Sequence, residues 1–188
     1  MTEVFVARDH SVAIVVTQAI RESLLRYCVD AGQNETGGIL IGHYTPLRDQ
    51  AVITQLTGPP PDSTAGPTWF VRGVTGLQRL INRAWRRRDF YLGEWHFHPF
   101  AAAEPSDRDR RQILDFAKNP NYRCPEPVLL VVGGDPSAGG ELSMVVVLKG
   151  IVEGLRRWEP RSKDPARAIS TRRKRRPKGA GRGARKVP

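Results

Sequence analysis

Cysteine is nearly absent from this 188-residue chain: Cys28 and Cys124 stand far apart and form no CxxC pair. That scarcity excludes a disulfide framework and a cysteine-ligated zinc site, and it leaves two buried, inert thiols. No apolar run approaches the roughly 20 residues a membrane helix needs, so no membrane partner is expected. The opening Met1-Thr2-Glu3-Val4-Phe5 lacks the basic-then-apolar layout of a signal peptide, which implies a cytoplasmic protein. The HxE and PCxxC pattern of zinc nucleobase deaminases is missing, because the residue two after His96 is His98.

Acidic residues are missing from one region only. Residues 1–160 hold 18 Lys+Arg against 18 Asp+Glu, whereas residues 161–188 hold 12 basic residues against Asp164 alone. The net charge of +11 therefore lives in the C-terminal segment. Its Arg172-Arg173-Lys174-Arg175-Arg176 run has no interleaved aromatics to stack on bases. Such an arm suits non-specific, salt-sensitive contact with nucleic acid, or an acidic protein partner. The composition from Pro160 onward cannot build a core, so residues 160–188 read as a disordered basic tail and 1–159 as one domain.

Within that domain, helical and strand patterns alternate. Val4–Val6 suggests a strand. Ile20, Leu24 and Cys28 follow a helical period after the candidate N-cap Thr17, with Gly32 as the stop. Residues 37–42 and 51–56 read as neighbouring strands, and the prolines at 59–61 as a loop. A helix is expected over 75–88 with Leu77, Leu80, Ile81, Ala84 and Trp85 on one face; its final Arg86-Arg87-Arg88 suits the negative helix end. Strands follow at 91–98, 128–132 and 142–148, with a helix over 106–118. This order implies an α/β fold with a mixed central sheet flanked by helices.

Strand alternation places Tyr91, Trp95 and Phe97 on one face and Glu94, His96 and His98 on the other. An i,i+2 histidine pair on one face can chelate, and imidazole suits zinc. Ser106-x-x-Asp109 ahead of an apolar-periodic run is also close to a capping box, and residues three apart in a helix's first turn lie near one another. Asp107 competes as a ligand but is placed to pair with Arg111, four residues on. Glu35 precedes Gly37-Gly38, where close backbone approach suits the edge of a site. Glu94 fits either an imidazole-orienting role or a structural salt bridge. Trp69 and Phe70 fit core packing better than a groove, and His10 and His43 are set aside.

His96-x-His98, seven residues, Ser106, two residues and Asp109 together resemble the signature of the JAMM (JAB/MPN+) metallopeptidases. Glu35-Thr36-Gly37-Gly38-Ile39-Leu40-Ile41-Gly42 resembles that family's upstream segment, and Gly93-Glu94-Trp95 looks most like its prokaryotic JAB branch. Phe97 departs from the Ser or Thr common between the family's histidines, at a position that faces away from the metal. The resemblance implies a cytidine-deaminase-like JAB/MPN domain with one Zn2+ per chain, held by His96, His98 and Asp109. It implies Glu35 as general base and acid, and Ser106 as a stabiliser of the tetrahedral intermediate. Substrates of the family are ubiquitin-like modifiers or their conjugates, cut after the modifier's C-terminus. Activating and conjugating enzymes of the same operon are implied partners, including in antiviral defence. A non-catalytic MPN-like module whose tail recruits nucleic acid is the alternative. Two histidines and a carboxylate also serve iron.

Overall fold

Ten strands and three helices build the domain in a computed structural model that describes residues 2–159. The expectation for the basic segment from 160 onward lies outside the described residues. In chain order the elements are β1 (Glu3–Val6), β2 (Ala13–Val16), α1 (Gln18–Ala31), β3 (Thr36–Tyr44), β4 (Gln50–Leu56), β5 (Thr64–Gly66) and β6 (Trp69–Val71). Then follow α2 (Leu77–Arg86), β7 (Phe90–Pro99), α3 (Asp107–Lys118), β8 (Val128–Gly134), β9 (Glu141–Leu148) and β10 (Ile151–Arg157). The expected helices and long strands are present. The short β2, β5 and β6, and the polar β10, were not anticipated.

The central sheet is mixed, as expected, and it closes on itself. Its order is β1-β10-β9-β8-β7-β3-β4-β2, with β2 returning to β1. The β2–β4 and β7–β8 pairs are parallel and the rest antiparallel. β5 and β6 form a separate hairpin.

Helices cover both faces of the curved sheet. Ile20, Leu24 and Cys28 of α1 pack with Phe5, Leu40, Trp95, Phe97 and Leu130 on the inner face. Leu77 and Ala84 of α2 cover Ile39, Ile41 and Tyr91, and Ile113 of α3 covers Leu129, Val131 and Val145. Each such fully buried Leu or Ile contributes about 1.5–3 kcal/mol relative to an exposed one. Thr17 caps α1, its hydroxyl accepting from the Ile20 N–H, and Gly32 ends the helix at φ 63°. Trp85 departs from the expected apolar face of α2, since it is 52% exposed. Among the described residues no helix is long and apolar enough to cross a membrane.

β7 corrects one sequence reading. Leu40 pairs with Gly93 but Ile41 pairs with Tyr91, so Leu92 is an extra residue in β7. The bulge flips the alternation. Leu92, Trp95 and Phe97 share the inner core, while Tyr91 lies with Glu94, and its hydroxyl donates to Glu94 Oε1 at 2.8 Å. Gly93 is what permits this. Its φ is 147°, and a Cβ there would lie 1.8 Å from the Val128 carbonyl oxygen. Downstream of the bulge, Glu94, His96 and His98 share the outer face as expected.

Candidate metal centre

Two neighbouring strand ends and one helix start supply the site. β3 and β7 run antiparallel with Thr36 opposite Phe97, so Glu35, just before β3, sits beside the histidine end of β7. Gly37 makes the close approach possible: a Cβ there would lie 2.4 Å from the Trp95 carbonyl oxygen. α3 begins beneath the histidines, with Ser106 as its N-cap in a complete capping box with Asp109. The Ser106 backbone N–H donates to Asp109 Oδ2 at 2.8 Å, and its hydroxyl donates to the same oxygen at 2.6 Å.

Ligand atoms of His96, His98 and Asp109 all lie within 4.8 Å of one another. His96 Nδ1 stands 3.0 Å from Asp109 Oδ1, and His98 Nε2 stands 3.5 Å from Asp109 Oδ2. Two atoms each about 2.0–2.1 Å from one tetrahedral centre are themselves about 3.4 Å apart, so these separations fit a shared small cation. The other His96 ring nitrogen, Nε2, is buried and has no hydrogen-bond partner, so Nδ1 is the nitrogen that faces Asp109. The donor set of two imidazoles and a carboxylate suits zinc and leaves one position open.

Electrostatics fit the same assignment. Burial disfavours the Asp109 charge, but hydrogen bonds from His96, His98 and Ser106 outweigh it and hold the carboxyl well below the usual carboxylate range. The hydrogen bond to Asp109 raises His98 above its ordinary value against burial. Burial pushes Glu35 up, with His98 opposing. Glu35, His96, His98, Ser106 and Asp109 all line one cleft of about 420 Å³.

Several neighbours differ from expectation. Asp107 is exposed and makes no ion pair with Arg111. Trp69 is exposed and Phe70 buried, and both line the cleft; Phe70 meets the His96 ring edge-on at 5.8 Å. Glu94 takes the structural role: Arg72 binds both of its carboxylate oxygens, at 2.6 and 2.9 Å. Arg72 lies 22 residues upstream and carried no local signal for this pairing. Arg108 and Glu104 also line the cleft, and no motif marked them.

This cleft belongs to a family. The profile describing prokaryotic homologues of the JAB domain matches residues 17–147, and the chain is a member of that family. It is 44% identical over 137 residues to the "CD-NTase/cGAS isopeptidase" of Enterobacter hormaechei subsp. hoffmannii (strain UCI 50), covering 73% of this chain and 76% of the relative. It is 31% identical over 127 residues to the "Probable metalloprotease y4qB" of Sinorhizobium fredii (strain NBRC 101917 / NGR234), covering 65% and 77% of the two chains. The solution structure of protein DSY2949 from Desulfitobacterium hafniense shares the fold, with a TM-score of 0.56 at 19% identity over 73% of this chain and 86% of the other.

Proposed function

We propose that this chain is a zinc-dependent isopeptidase or peptidase that cuts after the C-terminus of a ubiquitin-like modifier. One observation carries the reading: His96, His98 and Asp109 converge within 4.8 Å in the cleft that Glu35 borders. The relatives named isopeptidase and metalloprotease support hydrolysis of a peptide or isopeptide bond. The first of them also points to a conjugate in a CD-NTase/cGAS system as substrate. Activating and conjugating enzymes as partners, a cytoplasmic setting and a role in antiviral defence belong to the same proposal. So does the division into a peptidase domain over 1–159 and a basic arm over 160–188.

His96, His98 and Asp109 would hold the metal. When bound, zinc supplies Lewis acidity that lowers the pKa of a water from about 15.7 to about 7. Glu35 is the general base that takes a proton from the attacking water and delivers it to the leaving amine. Its partly buried carboxyl, raised by desolvation, suits both halves of that transfer. Ser106 donates a hydrogen bond to the developing oxyanion. Its hydroxyl proton rests on Asp109 Oδ2, so the side chain exchanges one acceptor for another on catalysis. The Ser106 backbone N–H keeps Asp109 in place meanwhile.

Metal analysis should find about one zinc per chain. Cleavage of a modifier fusion should stop with a chelator and return with zinc. Glu35→Gln should keep the metal and lower kcat by about 10²–10⁴. Normal turnover in that variant would remove Glu35 from the chemistry, and chelator-insensitive cleavage would remove the metal.

A further inference from the structure

A second cavity stands apart from the metal cleft. It measures about 910 Å³ and shares no lining residue with that cleft. Phe90 and Tyr91 at the start of β7 line it, whereas His96, His98 and Pro99 at the end of that strand line the metal cleft.

Its wall is a series of neighbouring aromatic rings flanked by two guanidinium groups. The Arg123 guanidinium lies 6.0 Å from the Trp85 ring, Trp85 meets Phe90 edge-on at 5.1 Å, Phe90 stands 6.4 Å from Tyr44, and Arg48 lies 5.0 Å over Tyr44. Arg87 and Arg88 add two more positive charges to the lining. None of these four guanidinium groups forms an ion pair among the described residues. The one acid in the lining, Asp89, is engaged by His43 Nδ1 at 3.3 Å and Thr54 Oγ1 at 3.3 Å. A guanidinium stacked on a ring keeps its N–H edge free for a phosphate.

Local structure accounts for two of these four arginines. Arg87 and Arg88 suit the negative end of α2, but Arg48 and Arg123 come from two unrelated turns. Arg48, Arg88 and Arg123 all sit at left-handed backbone, with φ of 58°, 62° and 50°. Glycine would occupy such positions without strain. Three of the six described non-glycine residues at positive φ are thus arginines lining one cavity. Trp85 is 52% exposed on α2, whose buried positions are Leu77 and Ala84.

We infer that this cavity binds a nucleotide, its base stacked on the Trp85 wall and its phosphates held by Arg48, Arg88 and Arg123. Exposed aromatics interleaved with cations make the platform that nucleic-acid bases and phosphates use together. The volume suits a ligand of one to a few nucleotides. The nucleotide is either free or part of a single strand.

Calorimetry on the full chain separates the sources, with ADP, adenosine, pyrophosphate and a short oligothymidylate as probes. Arg48→Gly/Arg123→Gly removes two charges while relieving the backbone, so the variant stays folded by its melting transition. It should weaken ADP binding about tenfold or more. Trp85→Ala should weaken it about fivefold or more, the lower end of base stacking. Replacing all five residues from Arg172 to Arg176 by alanine should leave this binding intact. Adenosine and pyrophosphate should each bind at least about tenfold more weakly than ADP. Oligothymidylate binding with the same variant sensitivities, without ADP binding, would assign the strand as the source. The inference is overturned if no probe binds at about 1 mM, if pyrophosphate matches ADP, or if binding falls only in the Arg172–Arg176 variant.

Discussion

Arg72 grips Glu94 through both carboxylate oxygens, Nε to Oε2 at 2.6 Å and Nη2 to Oε1 at 2.9 Å, and the two side chains are only 6% and 1% exposed. The pair ties the segment after β6 to the middle of β7, two residues before His96. Arg72→Met would leave the Glu94 carboxylate buried and uncompensated, at a cost of about 3–5 kcal/mol. Arg72→Met/Glu94→Leu should cost less than the single change, because an apolar pair strands no charge. Urea denaturation of both variants measures the difference. A double variant less stable than Arg72→Met would contradict this account.

Ser106 is both a helix cap and the oxyanion donor of the proposed reaction. Ser106→Ala should destabilise by about 0.5–2 kcal/mol through the lost cap. Ser106→Gly should cost only a few tenths of a kcal/mol, since glycine is a tolerable N-cap. Both should lower kcat by about 10²–10³. Thermal unfolding beside cleavage kinetics separates the two roles, because a purely structural serine would leave the glycine variant active.

Gly93→Ala should cost roughly 2–4 kcal/mol, combining backbone strain with a clash against β8. The bulge aims Glu94, His96 and His98, so the surviving folded fraction should also bind less zinc. Metal content per folded chain, set against the urea midpoint, tests both effects. Wild-type values for both would mean the backbone here yields more readily than its packing suggests.

Burial raises the Cys28 thiol to about 12 and the Cys124 thiol to about 11, from an ordinary 9.0. Both are protonated at pH 8 and shielded, so a disulfide reagent should modify neither until the chain is unfolded, and then both. The raised folded-state values also set the sign of the alkaline response. Their contribution to stability is complete below pH 9.0 and is lost as pH rises through about 11 and 12. Urea midpoints at successive alkaline pH values should therefore decline, and a flat series would contradict the burial of these thiols.

The metal-binding candidates were legible because their signals are local. A histidine pair two apart on a strand, and a serine capping a helix three residues before an aspartate, carry their geometry within a few residues. Glu35 needed more: its approach depends on the β3–β7 register, which no spacing along the chain reveals. The Tyr91 face was misread because one extra residue at the bulge reverses a period of two. Arg72 was invisible as the partner of Glu94 because 22 residues separate them. Trp85 fits the helical period of Leu77 and Ala84, yet α2 presents it beside Phe90 and Arg123 at the edge of a cavity. Closure of the sheet was equally hidden. It depends on Phe5 and Val6 meeting Arg157 and Arg156, pairs drawn from the two ends of the described chain, and β10 carries too many polar residues to announce itself as a strand.

A ribbon of eight strands joined end to end has less outer rim than an open sheet. Most sheets must defend their margins against a copy of themselves, because unpaired amides there invite another strand to add on. Here Phe5 and Val6 of β1 pair with Arg157 and Arg156 of β10, which covers part of that margin. The seam therefore shortens the border that the lysine and proline guards of open sheets would otherwise have to protect.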